Sequence, residues 1–179
     1  WPQDLTSDGV RLFFTATNGL AGRELWMAEP LFGTVAMLQD INPRLGEGSD
    51  PKNLYAFGGK VYFSASDLGR GNPEPWVSDG TAAGTRKIRE LVPGNTAGSD
   101  PSAFFGYGPR VYFQAWDGTA RGLWRTDGTA AGTVRVGGVS MDAGHPHMQT
   151  FGGWIYFSAK TASTGLEIYR MDPATEAIQ

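Results

Sequence analysis

Apolar and polar positions recur along this chain in short blocks. Four triplets rich in β-branched and aromatic residues end in Phe: Leu12-Phe13-Phe14, Val61-Tyr62-Phe63, Val111-Tyr112-Phe113 and Ile155-Tyr156-Phe157. Each is apolar on both faces of an extended chain, as a strand covered on both sides requires. A glycine turn precedes each one, at Ser7-Asp8-Gly9, Gly58-Gly59, Gly108-Pro109 and Gly152-Gly153. Glycine there supplies φ > 0 without a Cβ clash. No stretch carries the 3.6-residue period of a helix of useful length.

Other landmarks keep step with the triplets. A proline lies 12, 12, 12 and 11 residues before the closing Phe, at Pro2, Pro51, Pro101 and Pro146. An aromatic follows at Trp26, Trp76, Trp124 and Tyr169, and Gly-Thr pairs fall at Gly33-Thr34, Gly84-Thr85 and Gly132-Thr133. Such self-similarity marks a repeated supersecondary unit. Four short strands are predicted per unit. Strand one covers 3–6, 53–57, 103–107 and 148–151; strand two 11–16, 61–65, 111–115 and 155–159. Strand three carries the Trp, at 24–28, 75–78, 123–126 and 167–171, and strand four covers 34–38, 85–90, 133–136 and 176–179. The linkers 42–50, 93–100 and 137–145 are rich in Gly, Asn and Ser and read as connectors.

Four antiparallel strands every ~45–50 residues match the blade of a β-propeller. The predicted fold class is therefore all-β: one domain, 1–179, with four four-stranded antiparallel blades at about 1–41, 50–92, 100–140 and 145–179. An open stack of blades, or part of a larger propeller, is the alternative. A β-sandwich would leave the repetition without a cause. The chain begins and ends in phase with its repeats, which favours a closed four-bladed ring with Phe14 and Phe157 in neighbouring blades. The outer repeats have the most worn turns, as terminal repeats of an array often do.

The motifs Glu24-Leu25-Trp26, Trp76-Val77-Ser78-Asp79-Gly80-Thr81 and Trp124-Arg125-Thr126-Asp127-Gly128-Thr129, each followed by Gly-Thr, resemble the ELWxxDGT repeat family. The resemblance spans nearly the whole chain and is specific in repeats two and three. It breaks at Ala28-Glu29-Pro30-Leu31-Phe32 and at Met171-Asp172-Pro173, where the Asp-Gly-Thr turn is lost. What it implies is a propeller-like module of large secreted or surface proteins, hence an extracellular or cell-surface setting. It implies no defined activity and no catalytic residues.

Composition narrows the partners. A formal net charge of -3 with scattered Lys and Arg argues against a nucleic-acid footprint. The one dense basic group, Arg86-Lys87-Ile88-Arg89, reads as a solvated edge strand. With no cysteine there is no disulfide, thiolate metal site or cysteine nucleophile. No run approaches the ~20 apolar residues of a membrane helix. A chain opening on Trp1 reads as processed or partial, so targeting segments would lie elsewhere.

Candidate chemistry is sparse. Asp79 and Asp127, with Ser78, Thr126, Thr81 and Thr129, offer oxygens to a hard cation such as calcium, and the loop residues Asp67 and Asp117 do the same. Six or more oxygens must converge for calcium, and no Asp-x-Asp-x-Asp spacing is present, so turn formation is favoured. His145-Pro146-His147 lacks further ligands and reads as a variant connector. No Gly-x-Ser-x-Gly elbow or phosphate-binding loop appears. Trp116 and Trp1 are the candidate contact residues for a partner protein or a sugar ring, while Trp154 reads as core. The leading expectation is a non-catalytic protein-interaction or scaffold module, part of a larger assembly or surface protein. A carbohydrate-binding propeller is the second. An enzyme with loop carboxylates at the propeller mouth is the third, and no titratable constellation supports it.

Overall fold

The computed structural model describes residues 1–69, 71–94, 97–142 and 147–179. Its described residues form antiparallel strands, with no α-helix. The first blade is β1 (Gln3–Ser7), β2 (Leu12–Thr17), β3 (Arg23–Glu29) and β4 (Thr34–Met37), hydrogen-bonded in that order. The second is β5 (Lys52–Phe57), β6 (Lys60–Ala65), β7 (Glu74–Ser78) and β8 (Arg86–Lys87). The third is β9 (Ser102–Tyr107), β10 (Arg110–Trp116), β11 (Arg121–Thr126) and β12 (Val134–Met141). The fourth is β13 (Met148–Phe151), β14 (Trp154–Lys160) and β15 (Glu167–Met171).

The expected fourth strand of the last blade is reduced to one β-bridge, Met171 to Ile178. Arg170 and Gln179 exchange both backbone hydrogen bonds at 2.9 Å, so the tail still lies along β15. The strand β12 runs further than expected. Gly137, with φ +61°, sits where the β11–β12 register shifts, and the chain continues as strand to Met141. There Ser140 and Met141 pair with Lys160 and Ala159 of β14, joining blades three and four into one seven-stranded sheet. A glycine-rich stretch read as connector thus becomes a bulged strand.

Alternation along the central strands sets the core. On β6, Val61, Phe63 and Ala65 face blade one, where they meet Phe13, Leu25 and Leu38. Tyr62 points the other way and joins Val77 and Ile88 against Phe104, Val111, Phe113 and Trp124 of blade three. The pattern repeats between blades three and four, with Tyr112, Leu123 and Val136 against Ile155, Phe157 and Ala159. Period-two burial on a strand covered on both sides explains why the triplets are apolar throughout. Trp76 and Trp124 are buried at these contacts, as expected.

No apolar cluster of the described residues joins blade four to blade one. The three apolar clusters join blade one to two, two to three and three to four, and the closure expected of a four-bladed ring, with Phe14 and Phe157 in adjoining blades, is not among these contacts. Leu5 and Val35 of blade one are exposed, and so are Phe151 (76 %) and Ile168 (78 %) of blade four.

Candidate interaction surface

The Asp-Gly-Thr turns are closed systems. In blade two, Asp79 Oδ1 accepts from the Thr81 N–H at 2.9 Å and from the Thr81 hydroxyl at 2.7 Å. Thr81 Oγ1 in turn accepts from the Gly84 N–H at 2.9 Å, and Ser78 and Thr85 share a hydroxyl bond of 2.7 Å. Blade three repeats this with Asp127, Thr129, Gly132, Thr126 and Thr133 at nearly the same distances. Gly80 and Gly128 take φ +90°, the left-handed conformation expected after the turn Asp. The second glycine has a different reason. A Cβ on Gly84 or Gly132 would stand 2.0 or 2.1 Å from the Asp carboxylate. The hydroxyl and amide bonds of Thr81 and Thr129 hold Asp79 and Asp127 below the ordinary carboxylate pKa.

Asp117 is built the same way. Burial pushes its carboxyl up, but the N–H groups of Ala120 and Thr119, the Thr119 hydroxyl and the Arg135 guanidinium outweigh that and hold it at about 2. Asp67 pairs with Lys87 at 2.9 Å. Each of the four Asp residues considered for a cation thus has at least one oxygen engaged by its own turn or by a neighbouring cation. Among the described residues no three His, Cys, Asp or Glu side chains converge as a metal site. Of the histidine group, His145 lies outside the described residues.

Two carboxylates missed in the sequence are the most deeply buried charges. Glu24 accepts from the Ser49 hydroxyl at 2.5 Å, the Ser49 N–H at 2.8 Å and the Ile41 N–H at 3.3 Å. Glu74 accepts from the Ser99 hydroxyl at 2.6 Å and the Leu91 N–H at 3.0 Å. Burial pushes both carboxyls up, against the lowering effect of these donors. Each Glu heads the Trp-bearing strand and grips the connector that leads to the next blade. Both Glu-Ser pairs are separated by 25 residues, a regularity that gains meaning only once the connector is seen folded back on the strand. Blade three has Gly122 at this position, where a Cβ would strike Arg135 Nε at 2.4 Å.

Cations stitch successive blades. The Arg11 guanidinium donates to the Asp79 carbonyl in the turn of blade two and to the Gly59 carbonyl at 2.9 Å. Arg86 donates to the Gly128 carbonyl at 2.7 Å, and Arg89 to the Thr133 carbonyl at 2.7 Å. In blade four, which has lost the turn, Glu176 takes over by pairing with Arg110 and Arg125 at 2.6 Å each.

Among the described residues, the surfaces open to partners include a leucine rim and two clefts. Leu20, Leu45 (92 % exposed) and Leu68 stand on three separate loops. Those loops are tied together: the Gly46 N–H donates to the Leu20 carbonyl at 3.3 Å, and Arg44 donates to the Leu68 carbonyl at 2.8 Å. A cleft of about 350 Å³ lies between Tyr107, Pro109, Arg110, Tyr112 and Pro173. A smaller cavity, about 120 Å³, is lined by Asp50, Lys52, Ser64, Ser66, Pro73 and Asp100. Trp1 is 91 % exposed. Trp116 is half-buried against the core between blades two and three, and its backbone N–H donates to the Ser99 carbonyl at 2.8 Å.

This geometry can be set beside known proteins. No family model matches the chain, and no curated protein does. Solved structures do match. Puromycin hydrolase superposes with a TM-score of 0.62 at 16 % identity over 99 % of this chain and 27 % of its own. A structure from a study of two prolyl endopeptidases gives 0.61 at 16 % over 100 % and 26 %. TolB from Acinetobacter baumannii gives 0.51 at 17 % over 98 % and 43 %. The likeness is to β-propeller and TolB-like domains. The fold is propeller-like. At these identities the likeness concerns the fold alone, and the chain spans about a quarter of the peptidase chains it matches. No helix of the described residues is long and apolar enough to cross a membrane.

Proposed function

We propose that this chain is a non-catalytic protein-interaction module, an arc of propeller blades that serves as scaffold within a larger assembly. The observation that carries the reading is the leucine rim. Leu20, Leu45 and Leu68 are exposed on three hydrogen-bonded loops, so the apolar tips are held rather than trailing. Apolar side chains brought together into one exposed patch mark contact sites. The loop carboxylates, by contrast, are occupied by their own turns and by arginines, leaving little for general acid or base work. The likeness of the turns to the ELWxxDGT repeat supports a secreted or cell-surface setting, and the arc agrees with a segment of a larger propeller.

The test compares the parent with a Leu20→Asp, Leu45→Asp, Leu68→Asp triple variant in crosslinking to proteins of its own cell surface, alongside a glycan array. A specific protein crosslink lost in the triple variant and kept in Trp116→Ala supports the proposal. Glycan binding that survives the triple variant but is lost in Trp116→Ala overturns it in favour of a carbohydrate-binding propeller.

A further inference from the structure

Blade two lacks a cation that blades one and three both have. Just ahead of the residue that heads the Trp-bearing strand stand Arg23 in blade one, Pro73 in blade two and Arg121 in blade three. These are one place in the fold. Arg23 and Arg121 lie opposite the last residues of β2 and β10, Thr17 and Trp116. The Arg23 carbonyl accepts the Asp50 N–H at 3.1 Å, as the Pro73 carbonyl accepts the Asp100 N–H at 3.0 Å. In blade one the Arg23 guanidinium donates to the Thr15 hydroxyl at 3.0 Å and to the Thr15 carbonyl at 3.3 Å. In blade three the Arg121 guanidinium donates to the Asp100 carbonyl at 3.1 Å and to its carboxylate. Proline offers no side-chain donor.

The groups that receive this guanidinium are nevertheless present in blade two. Ser64 lies opposite Pro75 as Thr15 lies opposite Leu25. Asp50 precedes the blade-opening Pro51 as Asp100 precedes Pro101. Both line the cavity of about 120 Å³, together with Ser66. Ser64 and Ser66 are only 3 % and 5 % exposed. Yet neither hydroxyl, nor the Asp50 carboxylate, has a hydrogen-bond or ion-pair partner among the described residues. Buried polar groups are ordinarily hydrogen-bonded. Blade three fills the same two strand-two places with Gln114, opposite Leu123, and Trp116. The cavity thus follows from two exchanges, arginine for proline and long side chains for serine.

We propose that this cavity binds the guanidinium group of an arginine side chain carried by a partner protein, supplying in trans what Arg23 and Arg121 supply in cis. A site for a whole small molecule has ~300–1,000 Å³, so this smaller cavity suits a single head group. A planar guanidinium donates in a fork to carboxylate and hydroxyl oxygens, which an ammonium does not match. The source of the arginine rests on the reading of the chain as a protein-interaction module. Ser66 and Gly71, on the loop that carries Leu68 of the rim, both line the cavity. Lys52 lines it too, from strand one, and donates to none of these groups. Its like charge weakens the attraction.

The experiment titrates N-acetyl-arginine methylamide into the labelled chain and follows the backbone amide shifts of Ser64 and Ser66, with circular dichroism as the folding check. Saturable shifts at these two residues are expected, and none with the uncharged citrulline analogue. Asp50→Asn should weaken binding by about tenfold or more, the loss of a charged acceptor. Asp50 is exposed at φ +52°, a conformation that asparagine accepts, so this variant folds. Pro73→Arg should abolish binding by filling the site in cis, and Lys52→Ser should strengthen it. No saturable shift overturns the proposal, as does one that Asp50→Asn leaves unchanged. Binding weakened by Lys52→Ser overturns it in favour of an anionic or zwitterionic head group. In the crosslinking test, Pro73→Arg should also lose the protein crosslink. A crosslink kept in that variant overturns the partner as the source of the arginine. Failure of the probe with a crosslink that still depends on the leucines leaves the module reading standing. Probe binding without any protein crosslink overturns the partner arginine together with that reading.

Discussion

Replacing Gly132 by Ala tests the turn more sharply than deleting its Asp. Gly132 has no positive φ, so its backbone admits alanine. At such a position Gly→Ala ordinarily stabilises by about 0.4–1 kcal/mol, through the unfolded chain. Here the new Cβ would stand 2.1 Å from Asp127 Oδ1 and 2.2 Å from its carboxyl carbon. The carboxylate must swing away and release the Thr129 N–H and hydroxyl, now at 2.8 and 2.7 Å. Hydrogen bonds to a charged acceptor contribute about 1.5 kcal/mol each at the low end, which suits an exposed turn. Two lost bonds less the alanine gain leave a net cost of about 2 kcal/mol. For a chain of this size that lowers Tm by about 4–8 °C. Thermal unfolding of four proteins is the assay: parent, Gly132→Ala, Asp127→Ala and the double variant. With no carboxylate to displace, Gly132→Ala should be neutral or stabilising in the Asp127→Ala background. The reasoning fails if Gly132→Ala raises Tm in the parent, or costs the same in both backgrounds. Gly165→Ala, whose Cβ would meet nothing within 4 Å, is the control.

Trp124→Ala should cost about 3–5 kcal/mol, since it opens the core between blades two and three and orphans the Ala115 carbonyl that its indole N–H reaches at 3.2 Å; a Tm within a degree of the parent would refute the blade packing. Asp117 is depressed to about 2, so its contribution is present above the unfolded carboxylate range and is lost as pH falls from about 4 towards 2. Asp117→Asn should therefore be less stable than the parent at neutral pH and converge with it in acid, as read by denaturant melts across that window. Glu74 runs the other way: its folded pKa is raised, so stability falls as pH rises above the ordinary Glu range. Glu74→Gln should remove that fall, and an unchanged slope between pH 4 and 7 would count against a buried, titrating Glu74.

The repeat, the strand order within blades and the buried Phe and Trp positions were legible because each is local: a period of two, a glycine turn, a spacing that barely drifts. The Asp-Gly-Thr turn was read correctly as turn chemistry, and the φ of Gly80 and Gly128 followed from it. Four things were not legible. Glu24 looked like a strand-end charge because its partner Ser49 is distant in sequence and sits in a stretch that scans as loop. The continuation of β12 through Gly137 and Gly138 was hidden because two glycines argue for a connector until the pairing with β14 is seen. Trp116 gave no sign of which neighbour would cover it, since that depends on how blade three meets blade two. The leucine rim escaped because single apolar residues in loops mean little until their loops are brought together.

The grip of Glu24 on Ser49 and of Glu74 on Ser99 has a consequence for where one unit ends. Each Ser lies just ahead of the proline that opens the following blade, yet it is bonded to the blade behind it. The backbone agrees: the N–H groups of Asp50 and Asp100 donate to the carbonyls of Arg23 and Pro73, also in the blade behind. A blade cut at its strands would therefore leave a buried carboxylate without its donors. The transplantable piece runs from proline to aspartate, 51–100, and recombination or gene duplication that respects the physics would break the chain between Asp and Pro.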